Sequence, residues 1–156
     1  MWKNYKKLED EFPEDFDFTP MTYIFPQDSD QFEEDRKSEE AAEDGTLWIF
    51  KPSASSCGKG IRIVDSESPI PGNKKGFVIS EYIANPHIID GLKYDLRIYV
   101  LVTNYDPLTV YIFEDGLVRF ATQPYNLNPE DFENKFVHLT NYSIQKKADG
   151  YSQNKF

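Results

Sequence analysis

One stretch constrains this chain more than any other: Lys93-Tyr94-Asp95-Leu96-Arg97, running into Ile98-Tyr99-Val100-Leu101-Val102. The second half is uninterrupted, β-branched and aromatic, the composition of a buried strand. The first half alternates. Side chains on a strand point to opposite faces with period two. Lys93, Asp95 and Arg97 therefore share one face, and Tyr94, Leu96 and Ile98 share the other. Three charges at the mouth of an apolar strand need water, one another or a ligand. Alone, the pattern admits two readings: a solvated strand start whose charges pair, or a strand edge that faces a ligand.

The chain has 156 residues, enough for a domain with a real core. No stretch approaches the roughly 18 apolar residues of a membrane span, and the Met1-to-Lys7 start lacks a signal peptide's apolar core. Cys57 is the single cysteine, which excludes an intrachain disulfide and fits a reducing compartment. With His87 and His138 far apart in sequence, no zinc spacing arises, and no residues are assigned to a metal. The net charge of −10 is uneven. Residues 1–46 hold fifteen Asp or Glu against five Lys or Arg, whereas residues 47–156 hold twelve of each. The excess of acid belongs to the first third, and neither part has the basic surplus of a nucleic-acid binder.

Along the chain, residues 1–26 are aromatic and acidic with prolines at 13, 20 and 26. Such a segment is expected to lie over another surface rather than form a core. Residues 27–44 read as a polar helix or a solvated charge run, with Asp28 or Ser29 as a cap, Gly45 as a stop and Phe32 as the large apolar residue. The pattern changes at Leu47. Strands are expected over 47–50, 61–64, 77–83, 93–103, 108–113 and 117–121. Asn104-Tyr105-Asp106-Pro107 reads as a turn, and Glu114-Asp115-Gly116 as a tight hairpin turn. Asn128 is expected to cap a short helix with Pro129 at its first position. The architecture is mixed α/β, mostly antiparallel hairpins, with residues 1–46 as an acidic lead-in and polar insertion.

Between the first two strands, Ser53-Ala54-Ser55-Ser56-Cys57-Gly58-Lys59-Gly60 is small and flexible. It reads either as a plain mobile hairpin or as a phosphate loop, since Gly and Ser amides approach anions closely and lysine adds a point charge. It is not a Walker A loop, because Lys59 is followed by Gly60 and Ser53 occupies the earlier glycine place. A protein kinase is excluded too: Lys51 precedes the loop, and neither His-Arg-Asp nor Asp-Phe-Gly follows. Cys57 lacks the local signature of a cysteine nucleophile, and no Gly-x-Ser-x-Gly elbow exists.

The order of features is more specific than any one of them: strand lysine, Gly/Ser loop, a strand ending in Tyr82-Ile83, Lys-x-Asp-x-Arg, a strand arginine, then Thr-Asn. This layout resembles that of an ATP-grasp ligase. Residues 47–156 resemble the tubulin tyrosine ligase-like family, specifically its polyglutamylase branch. The matching stretches are Trp48-Ile49-Phe50-Lys51-Pro52, Cys57-Gly58-Lys59-Gly60, Tyr82-Ile83, Lys93 through Thr103, Tyr105-Asp106-Pro107-Leu108, Gly116 through Thr122 and Asn134 through Ser143. Residues 1–26 look like the segment leading into this core.

The resemblance implies an ATP-grasp nucleotide-binding region over 47–156, with a central part over about 47–90 and the start of a further part over about 91–156. It implies that Lys51 contacts ATP phosphate and that the loop with Cys57, Gly58, Lys59 and Gly60 closes over the phosphates. Ser80, Glu81, Tyr82 and Ile83 would form the adenine hinge, mostly through backbone groups. Lys93, Asp95, Thr140 and Asn141 would hold the nucleotide. Arg97 would meet the γ-phosphate. Arg119 would bind the carboxylate of the incoming amino acid, for which a guanidinium fork suits better than lysine. Tyr142 and Ser143 would lie near that substrate.

The implied reaction is ATP- and Mg2+-dependent isopeptide formation, adding free L-glutamate to glutamate side chains of tubulin or other protein tails through an acylphosphate. The implied setting is cytoplasmic, on microtubules, including those of a cilium or basal body, with a monomeric enzyme and neither nucleic acid nor membrane as partner. The acidic 9–44 segment would face away from acidic tubulin tails. Tyrosine- or glycine-adding ligases of the same family, and a non-catalytic nucleotide- or tubulin-binding module, are the alternatives. Three positions depart from the family's common pattern: Cys57 and Lys59, where arginine is common, and Ser80, where glutamine is frequent. The family's magnesium ligands, a glutamate and an asparagine, are expected downstream of Phe156, so weak or absent activity is expected of these 156 residues alone.

Overall fold

The computed structural model describes residues 2–38, 45–53, 58–70 and 76–152. The chain forms two compact units, Met1–Asn85 and Pro86–Phe156.

In the first unit, β1 (Thr22–Phe25), β2 (Trp48–Pro52), β3 (Arg62–Val64) and β4 (Phe77–Glu81) build an antiparallel sheet in the order β1-β4-β2-β3. Its faces follow from alternation and register. Thr22 pairs with Ser80, Ile49 with Ser80, and Lys51 with Val78. Thr22, Ile24, Ile49, Lys51, Val78 and Ser80 therefore share one face. The opposite face carries Tyr23, Phe25, Trp48, Phe50, Phe77 and Ile79, all buried. Helix α1 (Trp2–Glu11) buries none of its residues. Helix α2 (Ser29–Asp35) covers the aromatic face and inserts Phe32, which has 0% exposure. The Phe32 ring lies 5.2 Å from Tyr23 and 5.1 Å from Trp48, both edge-on, the geometry in which aromatic quadrupoles attract.

Two expectations change here. The 1–26 segment does not merely lie over another surface: its last residues are β1, an edge strand bounded by Pro20 and Pro26 that places Tyr23 and Phe25 in the core. Proline is tolerated at such strand boundaries because no ladder bond is lost there. The charge run is not purely solvated either, since its first turns form α2 around Phe32. Asp28 sits at the N-cap position but makes no side-chain cap bond to the helix; its carboxylate accepts from the Ile24 amide instead, at 2.8 Å. Helix α2 ends at Asp35, well before Gly45, and residues 39–44 lie outside those described.

In the second unit, β5 (Ile88–Ile89), β6 (Leu92–Tyr105) and β7 (Leu108–Phe120) form a three-stranded antiparallel sheet. A 3₁₀ turn (Pro129–Asp131) follows with Asn128 at its N-cap, as expected, then short helices α3 (Lys135–His138) and α4 (Tyr142–Gln145). The Asp106-Pro107 turn joins β6 to β7 as expected. The second expected turn, at 114–116, is absent: β7 runs straight through it. Both expected strands, 108–113 and 117–121, pair with the same partner. Ile98 faces Gly116 and Val100 faces Ile112, so three residues of β7 oppose Tyr99 alone. The surplus is absorbed as a bulge. Gly116 is required there, because a Cβ would stand 2.6 Å from the Arg97 carbonyl oxygen.

The apolar half of β6 is also not buried within this unit. Leu101 is 61% exposed and Ile112, on the neighbouring strand, 68%.

Candidate functional site

Of the residues singled out from the sequence, Lys51 and Ser80 meet in the first unit, and Asp95, Arg97, Arg119 and Thr140 meet in the second. In the first unit Lys51 stands near the end of β2, on the face opposite the aromatic core. Its Nζ donates to Ser80 Oγ at 3.3 Å. Lys51 is accessible to solvent, yet neighbouring atoms desolvate its ammonium enough to push its pKa below the ordinary lysine value. β2 runs into the loop, of which Gly58, Lys59 and Gly60 are described and Cys57 is not. Gly58 and Gly60 have φ of 72° and 73°, the left-handed region that favours glycine. At Gly60 a Cβ would also meet Pro52 Cγ at 2.9 Å. The loop thus folds back on the end of β2, against the residue that follows Lys51.

The expected hinge divides by side chain and backbone. Ser80 is 4% exposed and uses its hydroxyl for Lys51. Glu81 is on the opposite face by alternation, where it lines a cavity of about 510 Å3 with Tyr23, Gln31 and Asp35. The Glu81 amide donates to the Met21 carbonyl and the Tyr82 amide to the Leu47 carbonyl, both at 2.8 Å. These two donors are committed to the protein itself. Tyr82 is buried, and Ile83 beyond it is 60% exposed.

In the second unit, Asp95 and Arg119 are directly opposite one another on β6 and β7. Arg119 Nε donates to Asp95 Oδ1 at 2.9 Å and to Oδ2 at 3.1 Å, while Nη2 closes a second prong on Oδ2. Nη1 is the remaining amino group of the fork. Desolvation pulls the Asp95 carboxyl upward. Hydrogen bonds from Arg119 and Thr140, with the charges of Arg119 and Arg97, outweigh it and hold the pKa below the usual aspartate value. The same Asp95 bond, opposed by desolvation, raises the pKa of Arg119. The structure thus brings Asp95, Arg97, Arg119 and Thr140 together. Lys93 stands over the Tyr125 ring, its Nζ 5.7 Å from the centroid.

Asn141 is the N-cap residue of α4, without a side-chain cap bond; its carbonyl accepts from the amides of Ile144 and Gln145. Tyr142 and Ser143 open that helix two and three residues beyond Thr140. Tyr142 is exposed, with Lys146 Nζ 5.2 Å from its ring centroid.

Three contributors went unseen in the sequence: Thr22, Tyr125 and Gln145. Thr22 Oγ1 lies 2.9 Å from Ser80 Oγ; only the alternation of a four-residue strand could have flagged it. Tyr125 is the ring beneath Lys93, and nothing in its loop marks it. Gln145 is 1% exposed. Its Oε1 accepts from the Thr122 amide at 2.9 Å and the Thr122 hydroxyl at 2.6 Å, and its Nε2 donates to the carbonyls of Lys135 and Leu139. It ties the residues just after β7 to the segment carrying Thr140 and Asn141. No local signal marks this glutamine within a polar tail.

Exposed ammonium, positive-φ glycines and a guanidinium–carboxylate pair define a class of sheet-borne sites suited to anionic, phosphate- or carboxylate-bearing ligands. The chain belongs to the tubulin-tyrosine ligase family, whose profile matches residues 1–156. It is 42% identical over 155 residues to the tubulin monoglutamylase TTLL4 of Mus musculus, covering 99% of this chain and 13% of that protein. It is 40% identical over 136 residues to the tubulin polyglutamylase TTLL5 of Homo sapiens, covering 87% of this chain and 10% of that protein. With the tubulin polyglutamylase TTLL7 of Mus musculus it shares 35% over 153 residues, covering 97% and 17% respectively. The chain therefore spans a small part of the length of these curated relatives.

Proposed function

We propose that the protein carrying this chain is an ATP-dependent ligase that joins free L-glutamate to glutamate side chains of tubulin, or of another protein tail. The observation that carries this reading is the Asp95–Arg119 pair across one ribbon, with the Arg97 charge and a hydrogen bond from Thr140 beside it. The printed names of the relatives, tubulin monoglutamylase and tubulin polyglutamylase, support the acceptor and the amino acid.

The described residues fit a nucleotide's phosphates. Lys51 offers ammonium donors at the end of β2, and the left-handed glycines at 58 and 60 would let backbone amides approach an anion closely. Cys57, although outside the described residues, belongs to the same loop by sequence. Ser80, Glu81, Tyr82 and Ile83 would flank the base. The Glu81 and Tyr82 amides are engaged with the carbonyls of Met21 and Leu47. Lys93, Asp95, Thr140 and Asn141 would hold the rest of the nucleotide, and Arg97 the phosphoryl group in transfer. Among the described residues no cluster of His, Cys, Asp or Glu fits a metal ion.

ATP supplies the phosphoryl group: an acceptor carboxylate oxygen bonds to the γ-phosphorus, ADP leaves, and the tail carries an acylphosphate. The deprotonated amine of glutamate then attacks the acyl carbon and phosphate departs. Arg97 would spread the charge of the first step, and Arg119 would orient glutamate by its carboxylate, so that positioning and charge neutralisation supply most of the catalysis. Tyr142 and Ser143, following Thr140, would border that glutamate.

The division at about residue 90 into a central part and the start of a further part is supported by the two compact units, whose boundary falls between Asn85 and Pro86. The protein would act as a monomer on microtubules in the cytoplasm. The test is incorporation of labelled glutamate into tubulin by the full protein, with and without ATP, for the parent and Lys51→Ala. Loss of incorporation on either omission is expected; incorporation that needs neither ATP nor Lys51 contradicts the reading.

A further inference from the structure

We propose that Thr22 and Ser80 are positioning residues for Lys51, forming a one-way chain of hydrogen bonds that ends on the Pro20 carbonyl and holds the ammonium in place for phosphate. This deepens the nucleotide reading above and rests on it.

The geometry sets the direction of every bond. Lys51 Nζ is 3.3 Å from Ser80 Oγ, and an ammonium can only donate. Thr22 Oγ1 is 2.9 Å from the Pro20 carbonyl oxygen, which can only accept. Thr22 Oγ1 is also 2.9 Å from Ser80 Oγ. A hydroxyl has one proton. Thr22 therefore gives its proton to Pro20, Ser80 gives its own to Thr22, and a Ser80 lone pair is left facing Lys51. The chain crosses three strands: β2 carries Lys51, β4 carries Ser80 and β1 carries Thr22.

The consequence for Lys51 is orientation. A lysine head on a flexible four-carbon stem loses much rotamer freedom when it is fixed on a phosphate. One N–H held by Ser80 pre-organises the head and leaves two for a ligand. Without the Thr22 hydroxyl, the buried Ser80 proton loses its acceptor and turns toward the ammonium, replacing attraction with repulsion. The desolvation that lowers the Lys51 pKa makes the Ser80 bond count for more. A serine at position 80 is thus an active part of the arrangement rather than a passive hinge residue.

The experiment measures Mg-ATP affinity by calorimetry in the full chain for Thr22→Val, Thr22→Ser, Ser80→Ala, Lys51→Ala and Thr22→Val/Lys51→Ala. Thr22→Val keeps shape and strand preference and removes only the hydroxyl. Losing one net hydrogen bond in the chain should weaken binding about five-fold in Thr22→Val and in Ser80→Ala. Thr22→Ser should restore the parent affinity. In the Lys51→Ala background, Thr22→Val should change nothing further, since a positioning residue has nothing left to position. Parent-like affinity in Thr22→Val and Ser80→Ala, with binding lost in Lys51→Ala, overturns the relay and leaves the nucleotide reading standing. A Thr22→Val effect that persists without Lys51, or that Thr22→Ser does not repair, also overturns it. Parent-like affinity in Lys51→Ala overturns both.

Discussion

Asp95 joins the charged groups of the second unit's ribbon to the segment that follows it. Two prongs from Arg119, a bond with Thr140 and the nearby Arg97 charge keep it ionised. Its side chain and that of Arg119 keep 33% and 28% of their exposure, so solvent screens the pair. Asp95→Asn is expected to cost about 1 kcal/mol of stability, the upper range for a partly exposed pair, measured by chemical unfolding. The sign of the pH dependence follows. The folded carboxyl titrates below its unfolded value, so its stabilisation is full above the ordinary aspartate pKa and is lost as pH falls through the lower folded value. Thermal unfolding across that acid range should show a drop that Asp95→Asn removes. An unchanged acid profile in the variant would mean that other carboxylates dominate. The same pair bears on the expected role of Arg119. Its Nε and one N–H of Nη2 serve Asp95, so a substrate carboxylate would meet the outer N–H groups of Nη1 and Nη2 or displace Asp95.

Elements were legible in proportion to how locally their signal is written. The strands at Leu47, Ile61, Phe77 and Lys93 were readable because each is a short apolar run bounded by turn residues. Asp115-Gly116 misled because a hairpin signal is local, whereas the pairing of both halves of β7 with β6 is not. The glycine serves a close approach to the Arg97 carbonyl instead of a turn. Gly116→Ala should therefore force the ribbon apart at that point and lower stability by roughly 1–3 kcal/mol; a Tm equal to the parent's would show that the strands can yield without cost. The sequence over 27–44 admits both a polar helix and a solvated charge run because Phe32 is its one large apolar residue. The partners of Phe32, Tyr23 and Trp48, lie on β1 and β2, which are not neighbours in the sheet order β1-β4-β2-β3. Phe32→Ala should destabilise the first unit by about 3–5 kcal/mol, the range for a large aromatic lost from a packed core. A loss below about 1 kcal/mol would place α2 outside the cooperative core.

At the scale of the whole molecule, the mixed α/β antiparallel architecture was legible from residue patterns, and membership of the tubulin-tyrosine ligase family from the order of its motifs. The roles of individual residues rested on that resemblance. What the sequence could not display was how polar side chains meet across strands: Thr22 with Ser80 and Lys51, or Gln145 with Thr122, depend on register between segments more than twenty residues apart. The account's central claim is that these sets serve a glutamate ligase. Its most direct measurement is mass spectrometry of tubulin tails after incubation with the full protein, ATP and glutamate, tyrosine or glycine offered separately. The account predicts tails heavier by glutamyl residues with glutamate alone, and none with Arg97→Ala or Arg119→Ala. Tails extended by tyrosine or glycine, or glutamyl addition undiminished in both arginine variants, would contradict it.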